Sequence, residues 1–152
     1  MKKFFLIATA FIVGFSASAQ QKADDIVKAK TDQFSFGKIK QNAPVTTYFE
    51  ITNTSNKPVV IETATASCGC TTPEYAKEPI APGATTRIKV GYNAAAAGPF
   101  TKEIYVKLAG VQETKNFKIT GEVLNEAAYN TYVKQGGGQK AKPAAAKTNK
   151  SS

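Results

Sequence analysis

The residues whose types and spacing could carry chemistry are few, and they lie together. Ser67-Cys68-Gly69-Cys70-Thr71-Thr72 holds both cysteines of the 152-residue chain, one residue apart. A C-x-C disulfide closes a loop of about three residues, for which chain entropy gives only about 1.5 kcal/mol of stabilisation, less any strain. Such a bond is a weak staple and a comparatively easily reduced one, with Gly69 supplying the backbone freedom that so small a ring demands. Three readings stay open at this point. The pair could merely shape a turn, it could exchange with the thiols of a partner, or both thiolates could hold a soft ion such as Cu(I). Two sulfurs cannot complete a tetrahedral zinc site, so further ligands would have to come from a partner.

The chain has no histidine. That removes the side chain that serves most often as general base and zinc ligand near neutral pH, and with it Ser-His-Asp, Cys-His and His-based metal sites within this chain. A Ser-Lys dyad or paired carboxylates would remain, but no motif frames either. The sequence therefore predicts a non-enzymatic protein with no catalytic residues and no resident cofactor.

Residues 1–19 have the three parts of a secretory signal: Met1-Lys2-Lys3, an apolar run from Phe4 to Phe15, and Ser16-Ala17-Ser18-Ala19 before Gln20. Cleavage is expected after Ala19. The apolar run is shorter than the roughly 20 residues a membrane span needs, so no transmembrane segment is expected in the mature chain. The expected location is periplasmic or secreted.

The formal charge of +9 concentrates at the two ends. Without Lys2 and Lys3 there remain 18 basic against 11 acidic residues, and five of the lysines, Lys134, Lys140, Lys142, Lys147 and Lys150, follow the last acidic residue, Glu126. The middle is nearly balanced and lacks the clustered cations and stacking aromatics that reading a nucleic acid requires. The tail lysines could instead touch an anionic envelope surface.

Between about Lys30 and Val123 the apolar residues recur with period two in short runs bounded by turn formers, the mark of half-buried strands. Phe34, Phe36 and Ile39 flank Gly37; Phe49 and Ile51 lead to Asn53-Thr54-Ser55-Asn56-Lys57-Pro58. Val59, Val60 and Ile61 are apolar on both faces, as a central strand would be, and run toward Cys68. Pro82-Gly83 fits the middle of a type II turn. Ile88, Val90 and Tyr92 face Arg87, Lys89 and Gly91, and two further runs hold Phe100 to Leu108 and Phe117 to Val123. About seven short strands in some 95 residues predict an all-β fold, an immunoglobulin-like antiparallel sandwich over residues 30–124. Phe34, Phe49, Phe100 and Phe117 are expected in its core. Residues 20–29 are assigned as a lead-in, 125–133 as a short helix capped by Asn125 with Tyr129 and Tyr132 against the sandwich, and 134–152 as a disordered basic tail. Asn53-Thr54-Ser55 and Asn149-Lys150-Ser151 match a glycosylation triplet that occurs often by chance.

As a set, Phe34-x-Phe36-Gly37, Phe49-x-Ile51-x-Asn53, Ser67-Cys68-Gly69-Cys70-Thr71, Pro79-Ile80-x-Pro82-Gly83, Ile88-x-Val90-x-Tyr92, Gly98-x-Phe100 and Ile119-x-Gly121 resemble a bacterial family of exported domains of unknown function. That family is similar to the Hydin-like and major-sperm-protein-like branch of the immunoglobulin-fold sandwiches. The likeness covers about Lys30 to Val123, and the S-C-G-C-T string is its most specific element. Ala84 stands where an acidic residue is usual, and Asn93 to Ala97 is unusually rich in alanine. The resemblance implies fold and export, and it assigns no activity. The function expected is an interaction or structural module of the bacterial envelope that meets an envelope protein, by strand addition for example. The alternative is a thiol-exchange or Cu(I) site at Cys68 and Cys70.

Overall fold

A computed structural model describes residues 22–137; the expected signal at 1–19 and the tail from 138 onward lie outside the described residues. The elements run α1 (Ala23–Ile26), β1 (Val27–Ala29), β2 (Gln33–Lys40), β3 (Val45–Asn53), β4 (Ile61–Ala66), β5 (Thr71–Tyr75), β6 (Thr85–Tyr92), β7 (Gly98–Leu108), β8 (Thr114–Leu124) and α2 (Glu126–Lys134). They form two four-stranded sheets, β1-β3-β6-β5 and β2-β8-β7-β4. The inward residues of both sheets meet in one core, where Phe49 packs on Phe117 at 4.6 Å between ring centroids and Tyr92 stacks on Phe100 at 4.1 Å. Full burial of side chains of this size stabilises by about 1.5–3 kcal/mol each. Phe34 is half-buried and packs edge-on to Phe36 at the margin.

The fold is the expected all-β sandwich, with four corrections. It has eight strands against the expected about seven, because β1 and β5 both form beyond the six apolar runs, β5 where Pro73 suggests a loop; β5 lies at a sheet edge, where a proline costs no ladder bond. The sandwich also begins at Val27, not at residue 30. Val27 and Ile26 are buried and Val27–Ala29 pairs with Asn53–Ile51, so the lead-in supplies an edge strand of its own. One pairing is parallel: β2 runs alongside β8, which is feasible because nearly the whole domain connects them. Finally, Val59 to Ile61 does not make a central strand. Val59 forms a single bridge to Ile80, and β4 starts at Ile61 as an edge strand with a register shift before Thr63.

Local chemistry accounts for the turns. Gly83 has φ of +75° and Ala84 N–H donates to Ala81 C=O at 2.9 Å, as the Pro82-Gly83 turn requires. Asn53 is fully buried: its side-chain amide donates to Lys57 C=O and Ile80 C=O while its Oδ1 accepts from Ser55. The Asn53 triplet is therefore a structural hub, its amide closed to modification in the folded chain. Asn149 lies outside the described residues.

Candidate functional site

The link from β4 to β5 carries the chain from one sheet to the other in four residues, Ser67 to Cys70. Its entry is fixed by Ser67, whose N–H donates to Glu103 C=O at 2.9 Å and whose Oγ accepts from Glu103 N–H at 3.1 Å. Its exit is fixed by Cys70, whose C=O accepts from Asn93 N–H at 3.0 Å. Between these anchors Thr71 N–H donates to Cys68 C=O at 3.3 Å, and the two cysteines form a disulfide with Cα atoms 5.3 Å apart. Gly69 at the tip is exposed and both sulfur-bearing residues are half-buried.

Thr71 is buried, and its Oγ1 lies 3.6 Å from Cys68 Sγ and 3.9 Å from Cys70 Sγ. Disulfide sulfurs carry no hydrogen, so the hydroxyl is the donor, its one hydrogen shared between the two contacts with Cys68 Sγ the nearer. In this state neither sulfur offers a thiolate to a soft ion, and the described residues contain no group of three or more His, Cys, Asp or Glu side chains placed to hold a metal.

Cys70, unlike Cys68, lines an open cavity of about 260 Å³. One row of that cavity comes from the register: Thr46 and Thr72 both pair with Gly91, from opposite sides, on the solvent face of the first sheet. Gly91 leaves the floor between the two threonines bare, and a Cβ there would meet nothing closer than Thr72 C=O at 3.8 Å. A glycine on the polar face of an alternating strand is a signal of close approach that the pattern carries, and the sequence reading passed over it. The next row along the same face sets the exposed Tyr48 beside an ion pair of Lys89 with Glu74 at 3.1 Å.

A larger open cavity, about 490 Å³, lies on the same sheet over Glu50. Lys30 and Arg87 bond that carboxylate and hold it below its ordinary range, so the one acidic group of the cavity is already paired. Sequence reasoning also missed Lys115. Alternation puts it on the apolar face with Phe117 and Ile119, and its side chain is only 8% exposed. Asp24 and Asp32 reach its ammonium at 2.7 and 2.8 Å, fastening α1 and the β1–β2 link to β8.

The model of a family described as "Protein of unknown function (DUF1573)" matches residues 27–123. Among solved structures, a protein of unknown function from Porphyromonas gingivalis W83 is similar at 17% identity and a TM-score of 0.55, over 72% of this chain and 51% of that one. The VesB protease of Vibrio cholerae is similar at 15% identity and a TM-score of 0.56, over 66% of this chain and 33% of that one. The ASH / PapD-like domain 7 of human CEP192 is similar at 7% identity and a TM-score of 0.56, over 79% of this chain and 98% of that domain. The chain thus spans about half the length of the first of these and a third of the second. At such identities the likeness concerns the fold alone. No curated protein matches the chain.

Proposed function

The chain belongs to that DUF1573 family, and from this premise we propose that it is an exported, non-enzymatic module of the bacterial envelope, meeting a partner protein at the Cys68-Gly69-Cys70 end of its sandwich. Export rests on the signal pattern of residues 1–19. The observation that carries the site is the placing of the sulfur pair: a half-exposed disulfide turn, anchored on both sides, opens onto a groove whose floor is bare at Gly91.

Strand addition at this side of the sandwich is disfavoured. The bond from Asn93 to Cys70 sets the alternation along β5, so that Thr71, Pro73 and Tyr75 turn their backbone groups outward. Pro73 has no N–H, Thr71 N–H is taken by Cys68 C=O, and Tyr75 Oη donates to Glu62 C=O on the facing edge of β4 at 3.1 Å. Edges treated this way resist pairing with another chain. The contact is thus made by the turn and the solvent face beside it.

A photo-crosslinking residue placed at Thr46 or Thr72 tests this in the native envelope, with Thr114 on the other sheet as control. Both groove positions should capture the same protein and Thr114 should not. Equal capture from all three positions, or capture from none, refutes the proposal.

A further inference from the structure

We propose that the Cys68–Cys70 disulfide accepts electrons from a dithiol of that partner, with Cys70 as the sulfur attacked and the Thr71 hydroxyl as the donor to departing Cys68. The inference rests on the reading that this end of the sandwich meets a protein, and it specifies the partner's chemistry: two thiols able to close a disulfide of their own.

Three observations carry it. Both cysteines are half-buried, and Cys70 is the one of the two placed on the lining of the open cavity. The Thr71 hydroxyl is nearer to Cys68 Sγ than to Cys70 Sγ, and a bond to sulfur that is weak in the disulfide strengthens as that sulfur becomes an anion. The backbone on either side is held by bonds that do not involve the sulfurs, from Ser67 to Glu103 and from Asn93 to Cys70. Opening the ring therefore leaves the two cysteines in place to close again.

The step balances as follows. A partner thiolate attacks Cys70 Sγ, the bond between Cys70 Sγ and Cys68 Sγ breaks, and its electron pair leaves on Cys68 Sγ, which accepts the Thr71 hydrogen bond and then a proton from solvent. The partner's second thiol, deprotonated, attacks the partner sulfur of the mixed disulfide and releases Cys70 as a thiolate, which is protonated in turn. The partner dithiol loses two electrons and two protons and becomes a disulfide; Cys68 and Cys70 gain both and end as thiols. Small ring size and partial exposure favour such exchange over a purely structural role.

The test uses the full chain with reduced glutathione and with 2-mercaptoethanol as probes, following ring opening by alkylation and intact mass. Thr71→Val should slow opening by both thiols about tenfold through loss of the bond to the departing thiolate, and Thr71→Ser should restore it. Gly91→Val, whose Cβ would meet nothing closer than Thr72 C=O at 3.8 Å, should slow glutathione several-fold while leaving the smaller thiol nearly unaffected. Equal rates in the parent chain, Thr71→Val and Gly91→Val overturn the proposal, as does opening that proceeds only at the rate of global unfolding. Groove capture of a partner by the Cys68→Ser, Cys70→Ser chain, with no exchange in the parent, overturns the exchange alone. Exchange with these probes but no captured partner supports the sulfur chemistry and removes the docking reading.

Discussion

Thr71 Oγ1 lies 3.6 Å from Cys68 Sγ and belongs to the first residue of β5, paired with Tyr92 at the end of β6. The disulfide turn is thus coupled to the sheet through a residue that is itself buried, while the hydrogen bonds holding its backbone are independent of the sulfur–sulfur bond.

It follows that reducing the pair should leave the sandwich folded. A three-residue loop contributes about 1.5 kcal/mol at most, so the melting temperature should fall by no more than about 10 °C, with one cooperative transition before and after. Thermal melts followed by circular dichroism, with and without reductant, check this. Loss of cooperative melting on reduction would make the disulfide a staple.

Gly121 should tolerate no side chain. A Cβ there would sit 2.7 Å from the Phe100 ring and 2.9 Å from Gly37 C=O, and the second of these is backbone that cannot swing aside. Gly121→Ala is expected to cost about 1–3 kcal/mol in urea denaturation. A variant as stable as the parent would show that β2 and β8 approach less closely.

Asn53→Ala removes a fully buried amide that satisfies Lys57 C=O, Ile80 C=O and the Ser55 N–H. Ser55 N–H loses its partner outright, while Ile80 C=O keeps Val59 N–H and Lys57 C=O keeps the Ser55 hydroxyl, so the expected cost is about 1–3 kcal/mol, measured by the same denaturation. A loss under about 0.5 kcal/mol would mean that water replaces the amide.

Lys115 supplies a pH dependence whose sign can be stated. Desolvation by burial opposes its charge, but the bonds from Asp24 and Asp32 outweigh it and raise the pKa above the ordinary value of 10.5. A raised lysine stabilises fully below its unfolded pKa and loses that contribution as pH rises through the folded one. The stability advantage of the parent over Lys115→Met should therefore hold from neutral pH to about 10 and shrink above 10.5. Comparing the two chains cancels Tyr92, which burial also shifts upward. An advantage unchanged up to pH 12 would contradict the pairing.

Alternation made most of the fold legible. The runs around Phe49, Ile88, Ile104 and Phe117 became β3, β6, β7 and β8 because a strand with one buried face must alternate. β5 was hidden because Pro73 and the prolines that follow read as a loop, although its burial alternates and Thr71, Thr72 and Tyr75 favour a strand, and β1 because three residues are too few to show a period. Val59 to Ile61 misled for a physical reason: apolar residues on both faces also arise where a chain enters the core through a bulge at a sheet edge. The cysteine pair was visible at once, being the only sulfur ring the chain could form. Its surroundings were not, since the contact of Cys70 with Asn93 and the bare row at Gly91 depend on registers between strands distant in sequence.

Export and the disulfide are read together by the intact mass of the protein isolated from the envelope of its own host, before and after alkylation under reducing and non-reducing conditions. The expected result is a chain beginning at Gln20 whose two cysteines take label only after mild reduction. A chain that retains Met1, found in the cytosol with both thiols free, would contradict it.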